Sequence, residues 1–428
     1  MKIKLFFWGF LTVLFLAGGI SWIFNNKAVI QPQKHTYFAP PIRNSFSFES
    51  IDTMKYSRDP SREKLNDTHF DQVIEKQVGA IAATGATHVA IATPYDEEFL
   101  PIMKRWVEAA RRHKLKVWFR GNWSGWEGWF EYPAITREEH IEKTKQFIMK
   151  HPELFEDGDA FSACPECENG GPGDPRRTGD VSGHRQFLIA EHEGMQASFE
   201  EIHKNVRIDL FSMNGDVARL IMDKATTKAL GGIVTIDHYV KTPEQLVKDI
   251  NLLAEQSGGK IVLGEFGAPI PDIHGHMNQK EQADWVEKLL SLLAKNSSIE
   301  GLNYWVGTGG STEIWNSGGE PRQAVETITK YYHPEVMYGT VTDEQGRPLE
   351  NVLVDFGEDM ESVRTSKDGR FFKVFTPTAP PRVTFSMKGY EVEEITDISK
   401  DQRELDIVLV PKESGGWEYF LQSVWNDR

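Results

Sequence analysis

Between Ser45 and Tyr332 the chain alternates short β-type runs with segments of helical period, eight times in succession. The runs are SFSFES from Ser45, THVAIAT from Thr87, LKVWFRG from Leu115, GDAFSAC from Gly158, VRIDLFS from Val206, GIVTIDHY from Gly232, KIVLGEF from Lys260 and EGLNYWV from Glu300. The segments between them place apolar residues three and four apart, as in PEQLVKDINLLAEQ from Pro243 and ADWVEKLLSLLAKN from Ala283. Alternation of this kind builds a parallel sheet covered by helices. Eight units in order close into a (β/α)8 TIM barrel. An open doubly wound sheet satisfies the same alternation, but no glycine-rich phosphate loop opens the first helix.

Other segments frame this body. After Lys2 and Lys4 the chain is apolar from Leu5 to Phe24, long enough to span a bilayer as a helix. The reading is an uncleaved signal anchor, with a cleaved signal as the alternative left open by Ala17, Gly18 and Gly19. Either places the body outside the cytoplasm, membrane-anchored in the first case and secreted in the second. The proline-containing stretch QPQKHTYFAPPIR, from Gln31, suits an extended tether. The expected domains are therefore a transmembrane helix (1–26), a linker (27–44), the barrel (45–333), a β-sandwich (334–412) and an amphipathic tail (413–428). A net charge of −15 repels phosphate backbones, so no nucleic acid is expected as a partner.

The sandwich follows from alternating runs broken by turn residues, VMYGTVTDEQGRPLENVLVDF, SVRTSKDGRFFKVF, RVTFSMKGYEVEE and LDIVLVP. They suggest a small antiparallel fold. The pattern from Gly339 to Val354, with D-G-R-F at Asp368, resembles the carboxypeptidase regulatory-like domain, a transthyretin-like sandwich. That resemblance implies a spacer or binding module and no peptidase metal site.

In a (β/α)8 barrel the residues at the C-terminal strand ends face the active-site mouth. A carboxylate there is costly to bury unless chemistry uses it, which singles out Glu265 at the end of KIVLGEF. The third run ends in Arg120, Asn122 and Trp123, with Trp126 and Trp129 beyond. The fourth leads into Cys164, Pro165, Glu166, Cys167, Glu168 and Asn169, the sixth ends in Asp237, His238 and Tyr239, and the eighth supplies Trp305. Indole faces that stack on sugar rings, beside groups that bind hydroxyls, make the composition of a glycan site. The same tryptophans also suit a loop core.

These strand-end residues resemble clan A of the retaining glycoside hydrolases, the barrel enzymes that include cellulases and mannanases. The resemblance makes Glu265 the nucleophile and Glu166 the acid/base, with Arg120, Asn122, Trp123, Glu168, His238, Tyr239 and Trp305 binding substrate. Tyr239 and Arg120 would keep Glu265 charged; Glu168, two residues beyond Glu166, is the alternative acid/base and otherwise stands at the rim. Pro165 occupies the place where the clan carries an asparagine against the sugar 2-hydroxyl. The implied function is a retaining hydrolase of a β-linked oligo- or polysaccharide, without a cofactor or metal. A non-catalytic glycan-binding barrel stays open as an alternative. So does a metal-dependent barrel enzyme using Glu166, Glu168, His238 and Glu265. The C-x-x-C of Cys164 and Cys167 stands at a strand-to-loop junction rather than opening a helix, so a local disulfide is favoured over a redox site, with free thiols next.

Overall fold

The computed structural model describes residues 46–412 apart from 334, 358–359, 361, 376–381, 397 and 399–403. The expected membrane helix, linker and tail lie outside the described residues. Among the described residues no helix is long and apolar enough to cross a membrane.

The first body is a curled sheet of eight parallel strands: β1 (Phe48–Asp52), β2 (His88–Ile91), β3 (Lys116–Phe119), β4 (Ala160–Phe161), β5 (Ser212–Asn214), β6 (Ile233–Asp237), β7 (Lys260–Phe266) and β8 (Ile299–Tyr304). The sheet order is β4-β3-β2-β1-β8-β7-β6-β5. Its edges meet at a parallel bridge between Ala160 and Arg207, where the Phe161 N–H donates to Arg207 O at 2.8 Å. The fifth run therefore needs correction. The segment from Val206 touches β4 through one bridge, and the strand itself begins only at Ser212.

Helices α1 (Phe70–Ala83), α2 (Leu100–Arg112), α3 (Arg137–Lys150), α4 (Val181–Glu201), α5 (Gly215–Ile221), α6 (Pro243–Ser257), α7 (Gln279–Leu293) and α8 (Gln323–Tyr332) lie between or after the strands. Each long helix buries one stripe; α2 turns Ile102, Met103, Trp106 and Ala110 inward. Capping boxes at Thr136 and Asn278 satisfy the first N–H groups of α3 and α7.

Period two along the strands sorts the barrel interior into layers. Phe48, Ala90, Trp118, Ala160, Leu210, Ile233 and Val262 form an apolar plug. Two or four residues further along the same strands come Asp52, Arg120 and Asp237, and Asn303 of β8 joins them, all buried. The apolar plug thus carries a polar layer on its C-terminal side, which is where the site forms.

The second body is a small β-domain of two sheets. One has the order β11-β10-β13-β14, from β10 (Leu353–Asp355), β11 (Val363–Arg364), β13 (Arg382–Ser386) and β14 (Glu393–Thr396). The other is β12-β9-β15, from β9 (Glu335–Asp343), β12 (Arg370–Phe375) and β15 (Ile407–Leu409). Residues of both sheets, among them Val341, Val354, Phe371, Phe385 and Ile407, share one core. The expected antiparallel pattern fails at one edge, because β15 runs parallel to β9.

Candidate active site

Arg120 leaves the end of β3 and becomes the hub of the polar layer. One guanidinium nitrogen reaches Asp52 at 2.6 Å and Glu265 at 3.2 Å; the other reaches Asp237 at 3.0 Å and Ser212 Oγ at 3.1 Å. The group also lies 4.9 Å above the Trp118 ring. Burial works against its charge, but Asp237, Glu265 and Asp52 together raise its pKa above the ordinary value. Asn303 donates to Asp52 Oδ2 at 3.2 Å and to Gly264 O at 2.8 Å, which ties β8 to the same cluster.

Glu265 reaches this layer through a bulge. Along β7, Ile261 and Leu263 pack in the outer apolar core, and plain alternation would send Glu265 the same way. The pairing with β6 shifts so that Leu263 faces Ile236 while Glu265 faces Asp237. Gly264 is the extra residue, and Glu265 turns inward. Its Oε2 accepts from the Tyr239 hydroxyl at 2.9 Å. Burial nevertheless pushes the Glu265 carboxyl up, Glu166 and Asp52 push the same way, and Arg120 and Tyr239 pull against them. Arg120 and Tyr239 thus act on Glu265 in the direction expected of them, and desolvation acts against both. Burial likewise raises Asp237 well above the ordinary range, and its Oδ1 has no partner among the described residues.

A cavity of about 210 Å³ opens over the cluster, lined by Asp52, Arg58, Arg120, Glu127, Glu166 and Glu265, with Met54, Trp129 and Asn169 at its walls. Glu166 arrives from the loop after β4 in the left-handed backbone region, φ 49°. Its N–H donates to Ser212 O at 2.7 Å, and its Oε2 accepts from the Asn169 amide at 2.9 Å. The Cys164–Cys167 disulfide brackets it.

Several expected site residues are placed elsewhere. Glu168 is not at a rim: it is buried, and its Oε1 accepts from the Asn214 N–H at 2.6 Å and side-chain amide at 2.9 Å. Burial raises its carboxyl to about 7. His238 turns to Asp249 of α6 at 2.9 Å. The Asn122 side chain is committed to protein, donating to Glu127 at 2.5 Å while its oxygen accepts from the Trp123 N–H at 2.8 Å and meets His140 at 2.9 Å. The other His140 nitrogen meets Glu191 at 2.9 Å. Trp123 packs between Tyr95 and Phe147 and donates to Thr144, so the loop-core reading describes it. Trp126 stacks on Phe187 beneath the disulfide loop. Trp305 does not line the cavity; it donates to Met54 Sδ at 3.3 Å and meets the Tyr239 ring edge-on.

Sequence reasoning missed Asp52, Arg58 and Glu127 as members of the cavity. Asp52 lay two residues beyond the first run, where continued alternation would have found it. Arg58 and Glu127 stand in segments without strand periodicity and carried no signal. Trp129, the one tryptophan of its loop that lines the cavity, lies beneath Arg58, whose guanidinium is 4.8 Å from the ring centre. Among the described residues no group of three or more His, Cys, Asp or Glu side chains is arranged to hold a metal ion.

Residues 336–410 match the family model of the carboxypeptidase regulatory-like domain. Solved structures share the barrel. A variant of a GH5_18 protein from Streptomyces cattleya, in complex with Manβ1-4GlcNAc, covers 69% of this chain and 84% of its own at 11% identity and TM-score 0.53. The GH5_18 protein of the same organism in complex with GlcNAc covers 69% and 83% at 12% identity and TM-score 0.51. A β-D-glucuronidase of Dictyoglomus thermophilum covers 68% of this chain at 15% identity and TM-score 0.45, and the present chain spans 50% of its length. No curated protein sequence matches the chain. At such identities the likeness is one of fold. The first body has the (β/α)8 barrel fold, and the residues that match the carboxypeptidase regulatory-like model follow it.

Proposed function

We propose that the barrel is a retaining glycoside hydrolase acting on a β-linked glycan, with Glu265 as nucleophile and Glu166 as acid/base. The observation that carries this is one cavity lined by both carboxylates, from β7 and from the loop after β4, beside Arg58, Arg120 and Trp129. Glu265 attacks the anomeric carbon as the bond from that carbon to the leaving oxygen breaks, and the Glu166 proton passes to that oxygen. Water then attacks the glycosyl-enzyme, gives a proton to Glu166, and releases Glu265 as a carboxylate. Trp129 supplies a stacking face. Asn169, which donates to Glu166, brings a carboxamide to the cavity, where Pro165 precedes Glu166. The apolar stretch from Leu5 to Phe24 supports a body held outside the cytoplasm.

The test is cleavage of a panel of β-glucans, mannans, xylans, galactans, Manβ1-4GlcNAc and chromogenic β-glycosides. Glu265→Gln should lower kcat on the order of 10⁴-fold or more. Glu166→Gln should lower it by roughly 10²–10⁴-fold on poor leaving groups. The attacking carboxylate must be ionised and burial raises its pKa. The ascending limb of kcat/KM should therefore lie above the ordinary carboxylate range. Undiminished cleavage by both variants would refute the assignment. Pro165 favours one second reading, glycan binding without hydrolysis, which the panel would reveal as binding with no new reducing ends.

A further inference from the structure

A second cavity, of about 280 Å³, opens on the flank of the barrel between α1 and the loop after β8. It shares no lining residue with the cavity over Arg120. Tyr56 and Trp315 wall it, and Gln77 faces it from α1. The other inward residues of that helix are apolar apart from this one, with Phe70, Ile74, Val78 and Ile81 in the core. Gln77 is only 7% exposed, and neither its amide nitrogen nor its oxygen has a partner among the described residues. A buried carboxamide left without partners is costly, so a group that enters the cavity and satisfies it gains on both sides.

We propose that this cavity is a second, non-catalytic binding site for a single neutral sugar ring. A carboxamide offers donor and acceptor side by side, and adjacent ring hydroxyls, each able to donate and accept, match it. The faces of Trp315 and Tyr56 suit the apolar C–H side of such a ring. Lys76 is the one charged lining residue; one N–H of its ammonium donates to Gly318 O, and the others can donate to ring hydroxyls. The volume lies just below the roughly 300–1,000 Å³ of sites for drug-sized ligands, which favours one ring over a chain. The two cavities flank the single turn Met54–Ser57, since Met54 lines one and Tyr56 the other.

The test uses the full chain with glucose, galactose, mannose and N-acetylglucosamine as probes, binding being measured by calorimetry and saturation-transfer NMR. At least one should bind. Gln77→Leu should weaken it by about tenfold or more, the loss of roughly one net hydrogen-bond pair. Ala80→Leu fills the cavity from a partly buried helix position while keeping the Gln77 carboxamide, and should do the same. Glu265→Gln should leave this binding intact, and both cavity variants should cleave a soluble glycoside at the wild-type rate. Failure of all four probes to bind overturns the proposal, as does undiminished binding in both cavity variants. Binding that persists in a protein without hydrolysis sinks the catalytic reading and supports this one.

Discussion

Glu127 closes the single helical turn Ser124–Glu127, and its surroundings tune it strongly. Burial pushes its carboxyl up to about 8, against the Asn122 hydrogen bond, with Glu166 and Glu168 adding to the rise and Arg58 opposing it. Its pKa in the unfolded chain is about 4.3, so the folded chain holds the proton more tightly. The stabilisation is therefore complete below about pH 4.3 and is lost as pH rises through the folded value. Glu127→Gln keeps a neutral polar group at every pH. Thermal melts should thus show the variant gaining on wild type steadily from about pH 5 to about pH 8 and levelling off beyond. A difference that stays constant across that range would mean the carboxyl is not held protonated. The same residue explains Asn122: a side chain expected to bind sugar is spent on orienting an acid, with His140 and Glu191 behind it.

At the scale of the element, β7 decides whether there is a site at all, and Gly264 decides β7. A Cβ on Gly264 would lie 2.3 Å from Asp237 Oδ1 and 2.8 Å from Thr235 Cγ2, both inside the barrel. Gly264→Ala should cost roughly 1–3 kcal/mol in urea unfolding. It should also lower kcat, because Asp237 and Glu265 must shift together. A variant as stable and as active as wild type would show that the bulge does not depend on glycine. Strand positions were legible in the sequence because parallel strands buried on both faces read as contiguous apolar runs. The fifth was misread because Val206 to Leu210 carries the same alternation while making only a bridge. Arg120, Glu265 and Tyr239 were legible as strand-end residues, although the bulge that aims Glu265 was not: a glycine within a strand marks an irregularity without saying which way the next side chain turns. Asn122, Trp123, Glu168 and His238 are neighbours of strand ends in sequence, and their direction was set by local acceptors and rings that spacing does not encode. Pattern recovers where a residue stands better than what it faces.

At the scale of the molecule, the apolar cores divide the chain. The barrel's clusters run from Phe46 to Tyr332, those of the β-domain from Met337 to Leu409, and they share no residue. Every residue lining either cavity lies before Glu320. Each body therefore has its own hydrophobic core, the physical requirement for folding alone. Calorimetry of the full chain should resolve two transitions, and a chain ending at His333 should keep the barrel's transition and cleave soluble glycosides with kcat within about twofold of the full length. Aggregation of the shortened chain, or a single merged transition in the intact one, would show that the β-domain completes the barrel's fold. Retained turnover on small glycosides with weakened action on insoluble glycan would instead give the β-domain a part in holding substrate. The β-domain would then supply that surface without contributing any group to the cavity that Glu166 and Glu265 line.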